Sequence, residues 1–101
     1  MAAKSLQVFW TSDAQKDFNE IVAYYKSQSN QAHKLVQKAI LKTLSTAATN
    51  PFIFETDKLR TRLDENFRKF TIYHISVTYE IRKEKLFVLR LRHTSREPLS
   101  Y

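Results

Sequence analysis

The sequence predicts an α+β domain in which a two-helix hairpin packs on one face of an antiparallel sheet. An N-terminal strand opens that sheet and three C-terminal strands complete it. Two observations carry this. Apolar residues first recur at a period near two, then through two stretches at helical spacing, then again at a period near two in three runs. The two helical stretches are joined by only a few polar residues, which makes a helical hairpin, and the order strand, helix, helix, strand, strand, strand implies that both helices cover one face of the sheet. At 101 residues with 43% hydrophobic content, the chain is long enough for one core. A single domain spanning residues 1–101 is therefore expected.

Ser5–Trp10 reads as the first strand, with Leu6, Val8 and Trp10 alternating against Ser5, Gln7 and Phe9. A helix start follows. Ser12 is the expected N-cap, Gln15 stands three residues on as in a capping box, and Asp13 suits the positive end of the helix dipole. Ala14, Phe18, Ile21, Val22 and Tyr25 then share one helical face. The polar stretch Ser27–Gln31 interrupts the pattern, and a second helix is expected from near Ala32. Leu35, Val36, Ala39, Ile40, Leu44 and Ala47 keep its spacing, and Asn50 before Pro51 ends it. These apolar stripes are read as core.

A connector over residues 52–66 follows, fastened to the body by Phe52, Phe54, Leu59 and Leu63. Strands are expected over Phe67–Tyr73, Ile75–Arg82 and Leu86–His93. Tyr73-His74 and Lys83-Glu84 are the turns. Strict alternation would aim Ile75, Val77, Tyr79 and Ile81 at the helices, with Phe87, Leu89, Leu91 and His93 beside them. Phe70 and Ile72 would also point inward. Lys69, Ser76, Thr78, Arg90 and Arg92 would then gather on an open face, with Arg96 just beyond the last strand.

Composition narrows the function. The net charge is +7, and Phe67–Tyr101 concentrates it: Arg68, Lys69, Arg82, Lys83, Lys85, Arg90, Arg92 and Arg96 stand against Glu80, Glu84 and Glu97. Such an excess favours a polyanionic partner, whether nucleic acid, ribosome or acidic protein segment. Arg90 and Arg92, two apart in an otherwise apolar strand, are costly unless solvated or paired. Cysteine is absent, which excludes disulfides, thiolate metal sites and a cysteine nucleophile. Glycine is absent too, so no Gly-rich phosphate-cradling loop exists. His33, His74 and His93 are too scattered for a metal site. His33 is expected at the surface and His74 in a turn. His93, ending the last strand, is a candidate acid or base. No run is long and apolar enough for a membrane span, and MAAKSLQVFW lacks the apolar stretch and cleavage site of a signal peptide. A cytoplasmic protein without cofactor or metal is expected.

Nearly the whole chain resembles the RelE/ParE superfamily of toxins from type II toxin–antitoxin systems. The resemblance begins with Val8-Phe9-Trp10-Thr11 followed by Ala14 and Phe18. It continues through Ile21, Tyr25, Ala32 and the stop at Pro51. It then takes in the strand Val77-Thr78-Tyr79-Glu80-Ile81, and closes on Leu89-Arg90-Leu91-Arg92-His93-Thr94-Ser95-Arg96. It implies a growth-inhibiting toxin neutralised by a cognate antitoxin with an acidic, amphipathic tail. Two targets follow from it. RelE-like members cut mRNA on the ribosome without a metal, and ParE-like members inhibit DNA gyrase by binding. A basic nucleic-acid-binding domain unrelated to toxicity is a third reading of the charge alone.

Metal-free RNA cleavage needs a base for the 2′-OH, cations for the phosphate and an acid for the leaving 5′-oxygen. The resemblance would assign these roles to Arg68 or Lys69, to Arg96, and to Tyr101, with His93 as a further acid or base. Lys69, Arg90, Arg92 and Arg96 would hold nucleic acid or the antitoxin. Ser76 stands where RelE-like members carry an arginine, and a serine cannot supply that charge. The long helical hairpin points, with Ser76, toward the ParE-like side, while Arg68, Lys69, Arg96 and Tyr101 leave a usable set for RNA cleavage, so both targets stay open.

Overall fold

The computed structural model describes residues 5–54 and 66–94. Element order is as the periodicities predict: β1 (Gln7–Trp10), α1 (Ser12–Gln28), α2 (Asn30–Thr49), β2 (Phe67–Ile72), β3 (Ile75–Arg82) and β4 (Lys85–His93). The strands form one sheet in the order β1-β4-β3-β2. The three C-terminal strands are antiparallel meanders, while β1 runs parallel to β4. Parallel pairing is open to β1 because the helical hairpin and two strands intervene before β4, a connection long enough to cross over. Leu59, Leu63, Arg96 and Tyr101 lie outside the described residues.

Local chemistry sets the helix ends, one residue away from expectation at the first. Thr11, not Ser12, is the N-cap: its backbone is extended, and its hydroxyl accepts from the Ala14 N–H at 3.1 Å. Ser29 alone separates the helices. Its N–H donates to the Tyr25 carbonyl, closing α1, while its Oγ accepts from the Gln31 and Ala32 amides, opening α2. A single cap serving both helices forces the tight hairpin. The second helix therefore begins before Ala32.

Both helices lie on the same face of the sheet. Ala14, Phe18 and Ile21 from α1 and Val36, Ile40, Leu44 and Ala47 from α2 meet Phe70, Ile75, Val77, Tyr79, Leu86, Val88 and Leu91 in one core. Leu35, expected in the core stripe, is 60% exposed instead. It sits beside Val36, at the edge of the stripe, where the helix turns toward solvent. His33 is half-buried rather than at the surface, and its Nδ1 lacks a hydrogen-bond partner. Tyr79 is wholly buried, and its hydroxyl donates to the Pro51 carbonyl at 2.8 Å, fastening the end of α2 to the sheet. Burial pushes its phenol up to about 12, with the nearby Arg68 charge acting in the opposite sense.

The last strand departs from strict alternation. Thr78 pairs with Arg90 but Tyr79 pairs with Val88, so Leu89 has no partner and forms a β-bulge. A one-residue slip exchanges the two faces of a strand. Leu86 and Val88 are consequently the buried residues, at 0% exposure, where alternation would have placed Phe87 and Leu89. Beyond the bulge the predicted phase returns, with Leu91 buried opposite Val77 and His93 opposite Ile75.

Both hairpin turns hold two residues at positive φ: Tyr73 (52°) and His74 (63°), then Lys83 (51°) and Glu84 (63°). These are the left-handed pairs that tight hairpins require and that Asn-Gly supplies at least cost. Without glycine, the chain carries that strain on ordinary side chains. Replacing Lys83 by Asn and Glu84 by Gly should raise stability by roughly 1–2 kcal/mol in urea unfolding. An unchanged midpoint would show that the turn stores no strain.

A second expectation concerns Tyr79. Below pH 10 its phenol is protonated in folded and unfolded chains alike, and its contribution is fully present. As pH rises toward about 12, the unfolded chain loses the proton first, so stability falls by up to about 3 kcal/mol. Tyr79→Phe should flatten this alkaline loss relative to the parent chain, at the expense of the bond to Pro51.

Candidate functional site

The site grows out of the place where β1 ends. Its last residue, Trp10, pairs with Val88, and the chain then turns into α1. Thr11 makes that turn. Its N–H donates to the Val88 carbonyl, and its hydroxyl lies 3.1 Å from both the Val88 and the Leu89 carbonyls. From here α1 runs beside the rest of β4, whose outer edge no strand among the described residues covers. Asp17 covers it instead. One carboxylate oxygen accepts from the Leu91 backbone N–H at 3.0 Å and from Arg90 Nε at 2.7 Å, and the other accepts from Arg90 Nη2 at 3.3 Å. The carboxylate thus replaces a missing strand partner and holds the adjacent arginine bidentately. Asp17 is largely shielded while Arg90 is half-exposed, so the ion pair itself is discounted by solvent and the backbone bond carries more of the weight.

Beside this clamp lies a cleft of about 200 Å³ between α1 and the end of β4, lined by Asp17, Glu20, Tyr24, Arg90, Arg92 and His93. His93 Nε2 lies 2.6 Å from the Tyr25 hydroxyl, which also donates to the Tyr73 carbonyl at 3.4 Å. Tyr24 meets both the Tyr25 and His93 rings edge-on. The Thr94 N–H and hydroxyl both donate to the His74 carbonyl. One end of the molecule therefore ties the tail of α1, the first hairpin turn and the end of β4 into a cluster of aromatic and charged groups.

The candidate residues named from the sequence are dispersed across this frame. Lys69 shares its row with Thr78 and Arg90, and Ser76 shares the next with Arg92, so the cationic outer face is present in register. It is closed at its centre, because Thr78 is only 8% exposed. Arg68 points to the opposite face, abreast of Tyr79. There it donates to the Phe54 carbonyl at 3.0 Å and lies 4.8 Å over the Phe52 ring, binding the start of the connector. His93 joins the tyrosines rather than the outer-face cations. The positions of Arg96 and Tyr101 fall outside the described residues.

Sequence reasoning missed Asp17, Glu20 and Tyr24, and read Tyr25 only as part of the core stripe. A signal was available: Asp17, Glu20 and Tyr24 are spaced three and seven apart, one polar stripe beside the apolar one. Among the described residues no group of His, Cys, Asp or Glu is placed to hold a metal ion, and no helix is long and apolar enough to cross a membrane.

Asp17→Ala should cost roughly 2–3 kcal/mol, since it strands the Leu91 N–H and Arg90 together. Arg90→Ala should cost less, about 1 kcal/mol or under, as expected of a half-exposed ion-pair partner. Chemical denaturation of the two variants checks this order, and equal losses would assign the clamp's strength to charge rather than to the backbone bond.

Comparison with known proteins agrees with this architecture. Residues 8–98 match the family model described as the ParE toxin of the type II toxin–antitoxin system parDE. A solved chain of the chromosomal ParDE toxin–antitoxin system from P. aeruginosa superposes with a TM-score of 0.67 at 18% identity, covering 88% of this chain and 96% of that one. A conserved hypothetical protein of Helicobacter pylori, known from a solution structure, superposes with a TM-score of 0.56 at 21% identity, covering 89% and 96%. At such identities these likenesses speak for the fold. No curated protein sequence matches the chain significantly. Because the family model spans nearly the entire chain, from β1 past the end of β4, the protein belongs to the ParE toxin family of type II toxin–antitoxin systems.

Proposed function

We propose that this toxin arrests growth by binding DNA gyrase, not by cutting messenger RNA, and that a cognate antitoxin with an acidic, amphipathic tail restrains it in the cytoplasm. The observation supporting this reading is the divergence, among the described residues, of the cations that RNA cleavage would need at one point. Arg68 is spent on the inner face against Phe52 and the Phe54 carbonyl. Lys69 lies on the outer face. Arg90 is held by Asp17, and Ser76 occupies the middle-strand position where an RNA-cutting relative would carry charge. Cleavage of a phosphodiester depends on donors converging on the place where charge develops. Inhibition by binding makes no such demand: it needs a rigid, complementary surface with a few well-held aromatic and arginine anchors. The Tyr24, Tyr25 and His93 cluster, beside a cleft that Arg92 also lines, has that composition.

The antitoxin part of the reading rests on charge. A chain of net charge +7 with cations gathered on one sheet face attracts an acidic segment, both in steering the encounter and in fixing its register.

Purified toxin should inhibit gyrase-driven supercoiling and leave ribosome-bound mRNA intact, with chelator present or absent. Arg96→Ala and Tyr101→Phe should still arrest growth when expressed without antitoxin. Ribosome-dependent cleavage that disappears in Arg96→Ala would sink the gyrase reading and establish the RNA-cutting one.

A further inference from the structure

The strand register sets a row of side chains across the outer face, away from the helices. Phe67 on β2 stands opposite Glu80 on β3, Glu80 opposite Phe87 on β4, and Phe87 opposite Phe9 on β1. The bulge at Leu89 brings Phe87 to this side. Phe9 and Phe87 stack at 5.5 Å between centroids, and Phe9 is 37% exposed. Each ring carries a cation. The Arg82 guanidinium lies 4.6 Å from the Phe87 centroid, and Lys85 Nζ lies 5.5 Å from that of Phe9. Glu80 reaches Arg82 at 3.7 Å, too long for a tight pair, and so neutralises that cation in part.

A core does not need this arrangement, since the row lies on the side the helices leave uncovered. An exposed ring and a half-buried one, stacked together with cations over them, offer two things: flat apolar surface, and positive charge within reach of whatever lies on it. A purely acidic peptide would use the cations but place nothing on the rings. Duplex DNA would use the cations and keep its bases stacked away. An unpaired nucleic-acid strand uses both. Its bases stack on the rings and its phosphates take the displaced Arg82 and Lys85. An exposed cation–π contact is weaker than base–ring stacking, so the exchange runs toward the bound state. Glu80, an acceptor between two aromatic positions, adds a preference for bases that carry an amino group.

We propose that the Phe9–Phe87 row, flanked by Arg82 and Lys85, is a binding site for single-stranded nucleic acid that favours amino-bearing bases through Glu80. The site is separate from the cleft at the end of β4, and it stands whichever enzyme the toxin inhibits.

The test is binding of labelled oligo(dC), oligo(dT) and a short duplex to the purified full chain across a salt series. Oligo(dC) should bind more tightly than oligo(dT), and both more tightly than duplex. Phe9→Ala should weaken oligo(dC) binding roughly tenfold or more with the salt slope unchanged, while Phe9→Tyr retains it. Arg82→Ala and Lys85→Ala should each lower the log–log salt slope by about 0.7. Glu80→Gln should erase the preference for oligo(dC). Circular dichroism of each variant separates unfolding from lost contact. The proposal is overturned if duplex binds as well as single strands, if polyglutamate displaces the oligonucleotide at equal charge concentration, or if Phe9→Ala binds like the parent. Supercoiling inhibition measured on the same Phe9→Ala sample reports on the gyrase reading separately.

Discussion

The structure turns on the junction of Thr11 with the bulge at Leu89. Thr11 ends the first strand, caps the first helix and binds both carbonyls flanking the bulge. The bulge exchanges the two faces of β4 midway along its length, so that Leu86 and Val88 seal the core before it and Leu91 after it. Were β4 regular, one of its halves would turn its apolar residues to solvent, and no single face could close over both helices. The extra residue thus fits an apolar sequence that changes phase to a sheet that needs one buried side.

The same junction organises the charge. Because β1 stops at Trp10 and α1 begins at once, the second half of β4 would present bare backbone at its edge. Asp17 satisfies it, and in doing so draws Arg90 from the outer face toward α1. A carboxylate that protects an edge strand also decides which cations remain on the sheet surface. Lys69 and Arg92 stay within the outer rows, Arg68 is turned inward to hold the connector, and Arg90 is paired. Among the described residues the cations are thereby spread along the sheet rather than focused on one point.

The absence of glycine has a visible structural cost. Both tight hairpins place Tyr, His, Lys and Glu in the left-handed region, and the first of these turns is braced by the hydrogen bonds of Thr94 and Tyr25. Strain of this kind persists only where surrounding contacts over-determine it. At the Tyr73-His74 turn those contacts come from α1 and from the end of β4, the same elements that form the cleft.

Local chemistry made much of the fold legible in the sequence. The order of elements, the helix stop before Pro51, the inward set Ile75, Val77 and Tyr79, and the outward positions of Lys69 and Arg92 all follow from periodicity and backbone preference, which act over a few residues. Thr11 and Ser12 are both good caps by local chemistry, and the bonds of Thr11 to β4 favour the first of them. The face of Phe87, the pairing of Asp17 with Arg90 and Leu91, and the inward role of Arg68 were not legible. Each depends on residues far apart in sequence: Arg90 and Asp17 meet across 73 positions, and Arg68 and Phe54 across 14. By itself the sequence determined the elements and the sign of the charge. The tertiary structure decided where that charge can act, because a bulge and an uncovered strand edge come into being only when strands pair.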